Sequence, residues 1–209
     1  MIENNVIICS SLWAVFGFQH SFLARPSTKK IVNKIFGYTF ETYFYTILYF
    51  ISQCIVFLVI YDIIRHLKPT VIIYEIPKEL IHFVYWFNQV ASVFLIITVF
   101  HFDIGKFTGI SQLIKFFSRS QKNPKHVNET HLNSHYLYKY IRHPMYLCVI
   151  LIFVSSTTIY TDLFFVSLIS IVVYIEIGSH FEEKSLIKKF GSQYVDYQQK
   201  TKRYIPGIR

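Results

Sequence analysis

Charge is scarce in this chain. Only 16% of its 209 residues are Asp, Glu, Lys or Arg, against about 25% in an ordinary soluble protein. Acidic residues are the scarcer sign, 12 against 21 basic. So little polar surface excludes an ordinary soluble globule. Cysteine is sparse too. Cys9, Cys54 and Cys148 stand singly inside apolar runs, which excludes a disulfide framework or a C-x-x-C site and leaves them as small packing residues. The chain has no G-x-S-x-G, no phosphate-binding loop and no G-x-G-x-x-G. Hydrolase, nucleotide-hydrolysing and soluble dinucleotide-binding readings therefore lack support. The first residues, Met1-Ile-Glu-Asn-Asn5, have no basic stretch, so no cleaved secretory leader is expected. No internal repeat is present. The centres of the apolar runs are poor in ionisable groups, which disfavours a transporter.

Apolar sequence fills the space that charge leaves. Hydrophobic residues make up 53% of the chain and aromatics 19%. Five runs, 6–23, 43–64, 80–102, 145–160 and 163–181, are candidate membrane spans, since crossing takes about 20 apolar residues. The fourth is short. The fourth and fifth are parted only by Thr161-Asp162 and read as a tight helical hairpin. A soluble bundle would need more polar faces than these runs show. The expected fold is an all-α integral membrane protein of about five transmembrane helices, followed by an amphipathic interfacial helix. It reads as one membrane domain, with substrate-side helices over 1–135 and a hairpin and lid over 136–209. The polar stretch 118–134 reads as a loop.

Basic residues set the expected orientation. Segments 24–40, 103–144 and 182–209 together hold 18 of the 21 Lys and Arg, leaving Arg65, Lys68 and Lys78 on the alternate side. Positive loops stay in the cytoplasm. The N-terminus is then outside and the C-terminus inside, with the polar motifs facing the cytosol. The net charge of +9 is explained by topology and anionic membrane lipid, so no nucleic-acid partner is expected.

Those motifs gather at one membrane face. Gln19-His20-Ser21 ends the first run, His101-Phe-Asp103 ends the third, Arg142-His-Pro-Met-Tyr146 opens the fourth, and Glu176, His180, Glu182 and Glu183 close the fifth. Each alone reads as an interfacial residue. Together they mark a candidate site, because titratable groups converge there in a shielded place. His131 and His135 have i, i+4 spacing and His126 lies nearby. Without Cys or an H-E-x-x-H pattern they do not make a zinc motif, so no metal is expected.

At the C-terminal end the pattern becomes specific. Arg142-His-Pro-Met-Tyr146, Phe181-Glu-Glu183, Leu186, Phe190-Gly191, Tyr194, Tyr197 and Ile205-Pro206 resemble the signature of the membrane methyltransferases. That superfamily includes isoprenylcysteine carboxyl methyltransferases and phospholipid N-methyltransferases. Phe18-Gln-His-Ser-Phe-Leu-Ala-Arg-Pro26, with His101-Phe-Asp103, Gly109 and Gln112, is similar to the branch containing methanethiol S-methyltransferases, NnrU-like proteins and nurim. Two positions depart from that pattern: Cys148 stands where many relatives have glycine, and Glu41-Thr-Tyr43 where the branch has Glu-Arg.

The resemblance implies that residues 136–206 bind S-adenosylmethionine. Glu182 or Glu183 would then meet its ammonium or ribose, and Arg142 its carboxylate. His143 would hydrogen-bond the donor, Tyr146 would touch adenosine, and Pro144 would start the helix. Leu186, Ile187, Phe190, Tyr194 and Tyr197 recur on one helical face and would form a lid, with Lys184, Lys188 and Lys189 toward headgroups. A thiol acceptor must be deprotonated, and His20, His101 and Asp103 are the candidate bases. The implied activity is methylation of a small thiol such as methanethiol, in a bacterial inner membrane or a eukaryotic endomembrane. Two alternatives stay open. One is a lipid-borne acceptor, a prenylcysteine carboxylate or a phospholipid amine. The other is a non-catalytic membrane protein.

Overall fold

The structure is a computed structural model that describes residues 2–100, 104–118 and 136–205. In chain order the helices are α1 (Ile2–Ala24), α2 (Pro26–Phe36), α3 (Tyr38–Tyr43), α4 (Tyr45–His66), α5 (Ile81–Phe100), α6 (Ile104–Thr108), α7 (Ile110–Phe117), α8 (Pro144–Val154), α9 (Asp162–Phe190) and α10 (Ser192–Lys200). Two short strands, β1 (Ile72–Glu75) and β2 (Ile159–Thr161), pair antiparallel. Among the described residues, four helical stretches are long and apolar enough to cross a membrane: Asn4–Ala24, Tyr45–His66, Lys78–Phe100 and Asp162–Phe190. The chain is an all-α membrane protein. Its elements fall into two compact units, one built from α1–α4 with α6 and α7, the other from β1, α5, α8, β2, α9 and α10.

In the first unit, side chains close the open end of α1. A helix leaves its last carbonyls without backbone partners. Here the Thr28 hydroxyl donates to the Phe22 carbonyl and the Tyr45 hydroxyl to the Leu23 carbonyl, both at 2.6 Å. Pro26 then starts α2 at its first turn, behind an extended Arg25, the position where a missing N–H costs nothing. Two glycines with positive φ make the later corners, Gly37 at 86° and Gly109 at 91°. Gly109 also lies so close to Ile47 that a Cβ there would overlap the Ile47 backbone, whereas Gly37 faces open space.

In the second unit, α8 departs from the expected span. It has 11 residues, about 16 Å of helix, roughly half the hydrocarbon core. It was expected to run to residue 160 and turn directly into the next helix. Instead Ser155-Ser156-Thr157-Thr158 ends it, because short hydroxyl side chains compete for backbone groups. Ser155 Oγ donates to the Leu151 carbonyl at 2.7 Å and Ser156 Oγ to Phe153 at 2.7 Å. From α5, Asn88 Nδ2 reaches the Ile152 carbonyl and Ser155 Oγ, both at 2.9 Å, and the Tyr160 hydroxyl takes the Val154 carbonyl at 2.9 Å. Residues 159–161 then pair with β1. Thr161 caps the next helix by accepting from the Phe164 amide at 3.2 Å.

That helix, α9, has 29 residues and measures about 43 Å. It exceeds the ~30 Å core, so its end beyond Phe181 projects past the apolar stretch and carries Glu182 and Glu183 with it.

Alanine at Gly109 is expected to destabilise the protein more than alanine at Gly37. Both pay about 1–3 kcal/mol for positive φ, and only Gly109→Ala adds the collision with Ile47. Thermal unfolding in detergent measures the difference. Equal shifts for the two variants would refute the close approach.

Candidate active site

The signature residues come together within the second unit. The chain approaches α8 through a 3-10 turn, Tyr136–Lys139, and then runs beside the C-terminal tail. Ile141 bridges Lys202 in parallel. The Arg142 amide donates to the Lys202 carbonyl at 2.7 Å and the His143 amide to Arg203 at 3.1 Å. Pro144 then turns the chain into α8.

Glu183 is the hub. Its Oε1 accepts from Arg142 Nε at 2.8 Å and from His143 Nε2 at 3.0 Å, and its Oε2 from Gln198 Nε2 at 3.0 Å. The Arg142 and Glu183 side chains are 13% and 11% exposed. Arg142 also donates through Nη1 to the carbonyls of Gln198 at 3.1 Å and Thr201 at 2.6 Å. One guanidinium thus ties α9 to α10 and the tail.

Glu182 does something else. Successive residues on a helix point about 100° apart, so it faces away from the hub. Its Oε2 accepts from the Tyr146 hydroxyl at 2.8 Å, and its side chain remains 44% exposed, 3.7 Å from His143 Nδ1. The His143 and Tyr146 rings stack at 5.3 Å. Glu182 and Tyr146 therefore form an acidic, aromatic face with an accessible carboxylate, backed by a His143 that is buried beneath them.

Around it the tyrosines are neutral. Burial pushes the Tyr197 phenol up to about 12, with Arg142 working against the rise. Burial also raises Tyr194, with Glu183 adding to it. Tyr194 is 2% exposed, and the Tyr197 hydroxyl donates to the Tyr138 carbonyl at 2.5 Å. Of these two expected lid residues, Tyr197 holds α10 against the chain before α8 and Tyr194 packs beside it.

A second polar cluster sits deeper along α9. Arg203 Nη1 pairs with Glu176 Oε1, and Nη2 donates to Ser179 Oγ at 2.9 Å. The Tyr204 hydroxyl lies 2.8 Å from Ser179 Oγ and 3.2 Å from Glu176 Oε2. Arg203, Tyr204, Ser179 and Gln198 belong to none of the sequence motifs. Glu176 was the available signal, since an acid within an apolar helix calls for a cation.

In the first unit, His20 on α1 places Nε2 3.0 Å from the Tyr49 hydroxyl of α4 and touches the Phe16 ring. His101, Asp103, Pro206 and the histidines His126, His131 and His135 lie outside the described residues. Among the described residues no group of three or more His, Cys, Asp or Glu is placed to hold a metal ion.

Arginine to alanine at 142 should release the tail. Breaking a buried ion pair costs about 3–5 kcal/mol, because the partner charge stays buried alone. Trypsin is then expected to cleave at Lys200 or Lys202 faster in Arg142→Ala than in the wild type. Unchanged cleavage would show that the pair does not hold the tail.

The family model described as a protein of unknown function (DUF1295) matches residues 7–201. A methanethiol S-methyltransferase of a Pseudomonas species is 26% identical over 204 residues, covering 96% of this chain and 73% of that protein. Methanethiol S-methyltransferase 1 of Bradyrhizobium diazoefficiens is 28% identical over 211 residues, covering 98% and 68%. A Mycobacterium tuberculosis protein of the same name is 24% identical over 212 residues, covering 98% and 80%. No solved structure matches the chain.

Proposed function

The chain belongs to the DUF1295 family, and from that premise we propose that it is a membrane methyltransferase that moves a methyl group from S-adenosylmethionine to a small thiol such as methanethiol. The observation that carries the reading is the pair of adjacent glutamates. Glu183 is enclosed by Arg142, His143 and Gln198, while Glu182 is left half-open beside Tyr146. The relatives named for methanethiol methylation support the acceptor class.

The donor set suits the methyl donor. An accessible carboxylate can accept from an ammonium or from ribose hydroxyls, and the stacked His143 and Tyr146 rings offer an aromatic wall for a purine. When bound, S-adenosylmethionine supplies an activated methyl on a sulfonium. Glu182, His143 and Tyr146 hold it. Arg142 and Glu183 keep those three in place, and Pro144 sets where α8 begins. Tyr194, Tyr197 and the rest of α10 restrict water at the site, and orientation with water exclusion supplies much of such a catalyst's effect. The charge pattern supports an outside N-terminus, with Lys184, Lys188 and Lys189 at a cytosolic, anionic lipid face.

Cells expressing the protein and fed methanethiol are expected to release dimethyl sulfide, measured by headspace gas chromatography. No release above the empty-vector control, with methyl groups appearing instead on lipid, assigns the acceptor to the lipid class. No transfer to either leaves a non-catalytic protein.

Glu182→Ala should weaken binding of S-adenosylhomocysteine by about ten- to a hundredfold, the value of a hydrogen bond to a charged group. Isothermal calorimetry on the purified protein reads this. Unchanged affinity sinks the donor-site assignment.

A further inference from the structure

Glu176 lies more than a turn before Phe181, inside the apolar part of α9. A carboxylate there is costly and calls for a use. Arg203 and Tyr204 reach it from the tail, yet its side chain stays 53% exposed, against 24% for Arg203. Ser179 behind it is wholly buried. A latch made only to hold the tail is stronger when its acid is covered. Here the cation is covered and the acid is open. The cluster also joins the donor face: the Tyr204 ring is 5.8 Å from His143 and 5.5 Å from the Arg203 guanidinium. Arg203 Nε is 3.9 Å from Glu183 Oε1 and has no hydrogen-bond partner among the described residues. Glu182 instead accepts from Tyr146.

Resting on the thiol reading above, we infer that Glu176 is a general base for the acceptor, with Arg203 and Tyr204 as its positioning residues. The acceptor's S–H proton passes to the Glu176 carboxylate. The sulfur lone pair forms the new S–CH3 bond as the methyl–sulfonium bond breaks, leaving its electron pair on the donor sulfur. Two opposite charges disappear, and the proton stays on Glu176 until it exchanges with water. The charged and titratable groups around Glu176 are Arg203 and Tyr204 of the tail, His180 one turn along α9, Glu183 beyond Arg203, and His143 behind Tyr204.

The whole protein in lipid nanodiscs, given S-adenosylmethionine and methanethiol, is assayed for dimethyl sulfide from about pH 6 to 10, a range over which the small thiolate fraction of a simple alkanethiol grows steeply. Glu176→Gln retains acceptors for Arg203 and Tyr204. It should lose about 100-fold in kcat at neutral pH and regain rate as alkaline solvent supplies thiolate. Its affinity for S-adenosylhomocysteine should stay within about twofold of wild type. Glu176→Asp should recover part of the rate. Wild-type turnover in Glu176→Gln at neutral pH overturns the inference, as does a deficit that pH does not relieve. Loss of S-adenosylhomocysteine affinity together with rate makes Glu176 an anchor for the tail and overturns it as well. A wild type that binds S-adenosylhomocysteine but yields no dimethyl sulfide defeats the thiol reading itself, an outcome distinct from wild-type turnover in the variant.

Discussion

The Arg142–Glu183 ion pair is the contact on which the rest of the site depends. Taking a carboxylate and a guanidinium out of water costs several kcal/mol per ion, and only good geometry with further hydrogen bonds offsets it. Glu183 has that geometry, with donors from Arg142, His143 and Gln198. These come from three separate stretches: the segment before α8, the cap of α8, and α10. Arg142 adds the carbonyls of Gln198 and Thr201. One buried charge thereby dictates where the tail runs. The tail in turn meets the backbone of Arg142 and His143, so the arrangement closes on itself.

The unequal lengths of α8 and α9 set the depth of each polar group. With 11 residues, α8 stops partway, and hydroxyls, Asn88 and Tyr160 satisfy the carbonyls it leaves open. Unsatisfied backbone is intolerable in hydrocarbon, so these side chains are what allow a helix to end there. With 29 residues, α9 overshoots. Its overshoot delivers Glu182 and Glu183 to the boundary, where polar donors can surround them. Glu176, still within the apolar part, has to be met by a segment that reaches back, and Arg203 and Tyr204 do this.

How much of this was legible in the sequence follows from the range of each cause. Pro144 announced the start of α8, because proline belongs in a first turn, and hydropathy located the long helices because spanning is a property of composition. The double glutamate was legible as a motif. Its division of labour was not, since which of two neighbours faces inward depends on where α9 rotates against α8. The end of α8 was misread because Ile159 and Tyr160 continue the apolar pattern, whereas the break lies in the Ser155–Ser156 hydroxyls and in Asn88, distant in sequence. Arg203 looked like one more basic residue in a basic tail. Its role follows from the partner it reaches on α9, a contact no local pattern encodes.

Under the proposed reaction, the same enclosure that helps one half of the chemistry hinders the other. A thiolate meeting a sulfonium annihilates two charges, and a low-dielectric site favours that step because opposite charges attract strongly there. Forming the thiolate in the same place is unfavourable, since desolvation favours the neutral thiol. A dry site therefore needs its base inside it, close enough to take the proton as the methyl group moves. The carboxylates around the donor face are not equivalent in this respect. Glu183 is tied by strong donors and would give up its ion pair on protonation. Glu182 faces the donor. Glu176 has an exposed flank and a cation already beside it, so it can accept a proton while Arg203 keeps its other contact with Ser179.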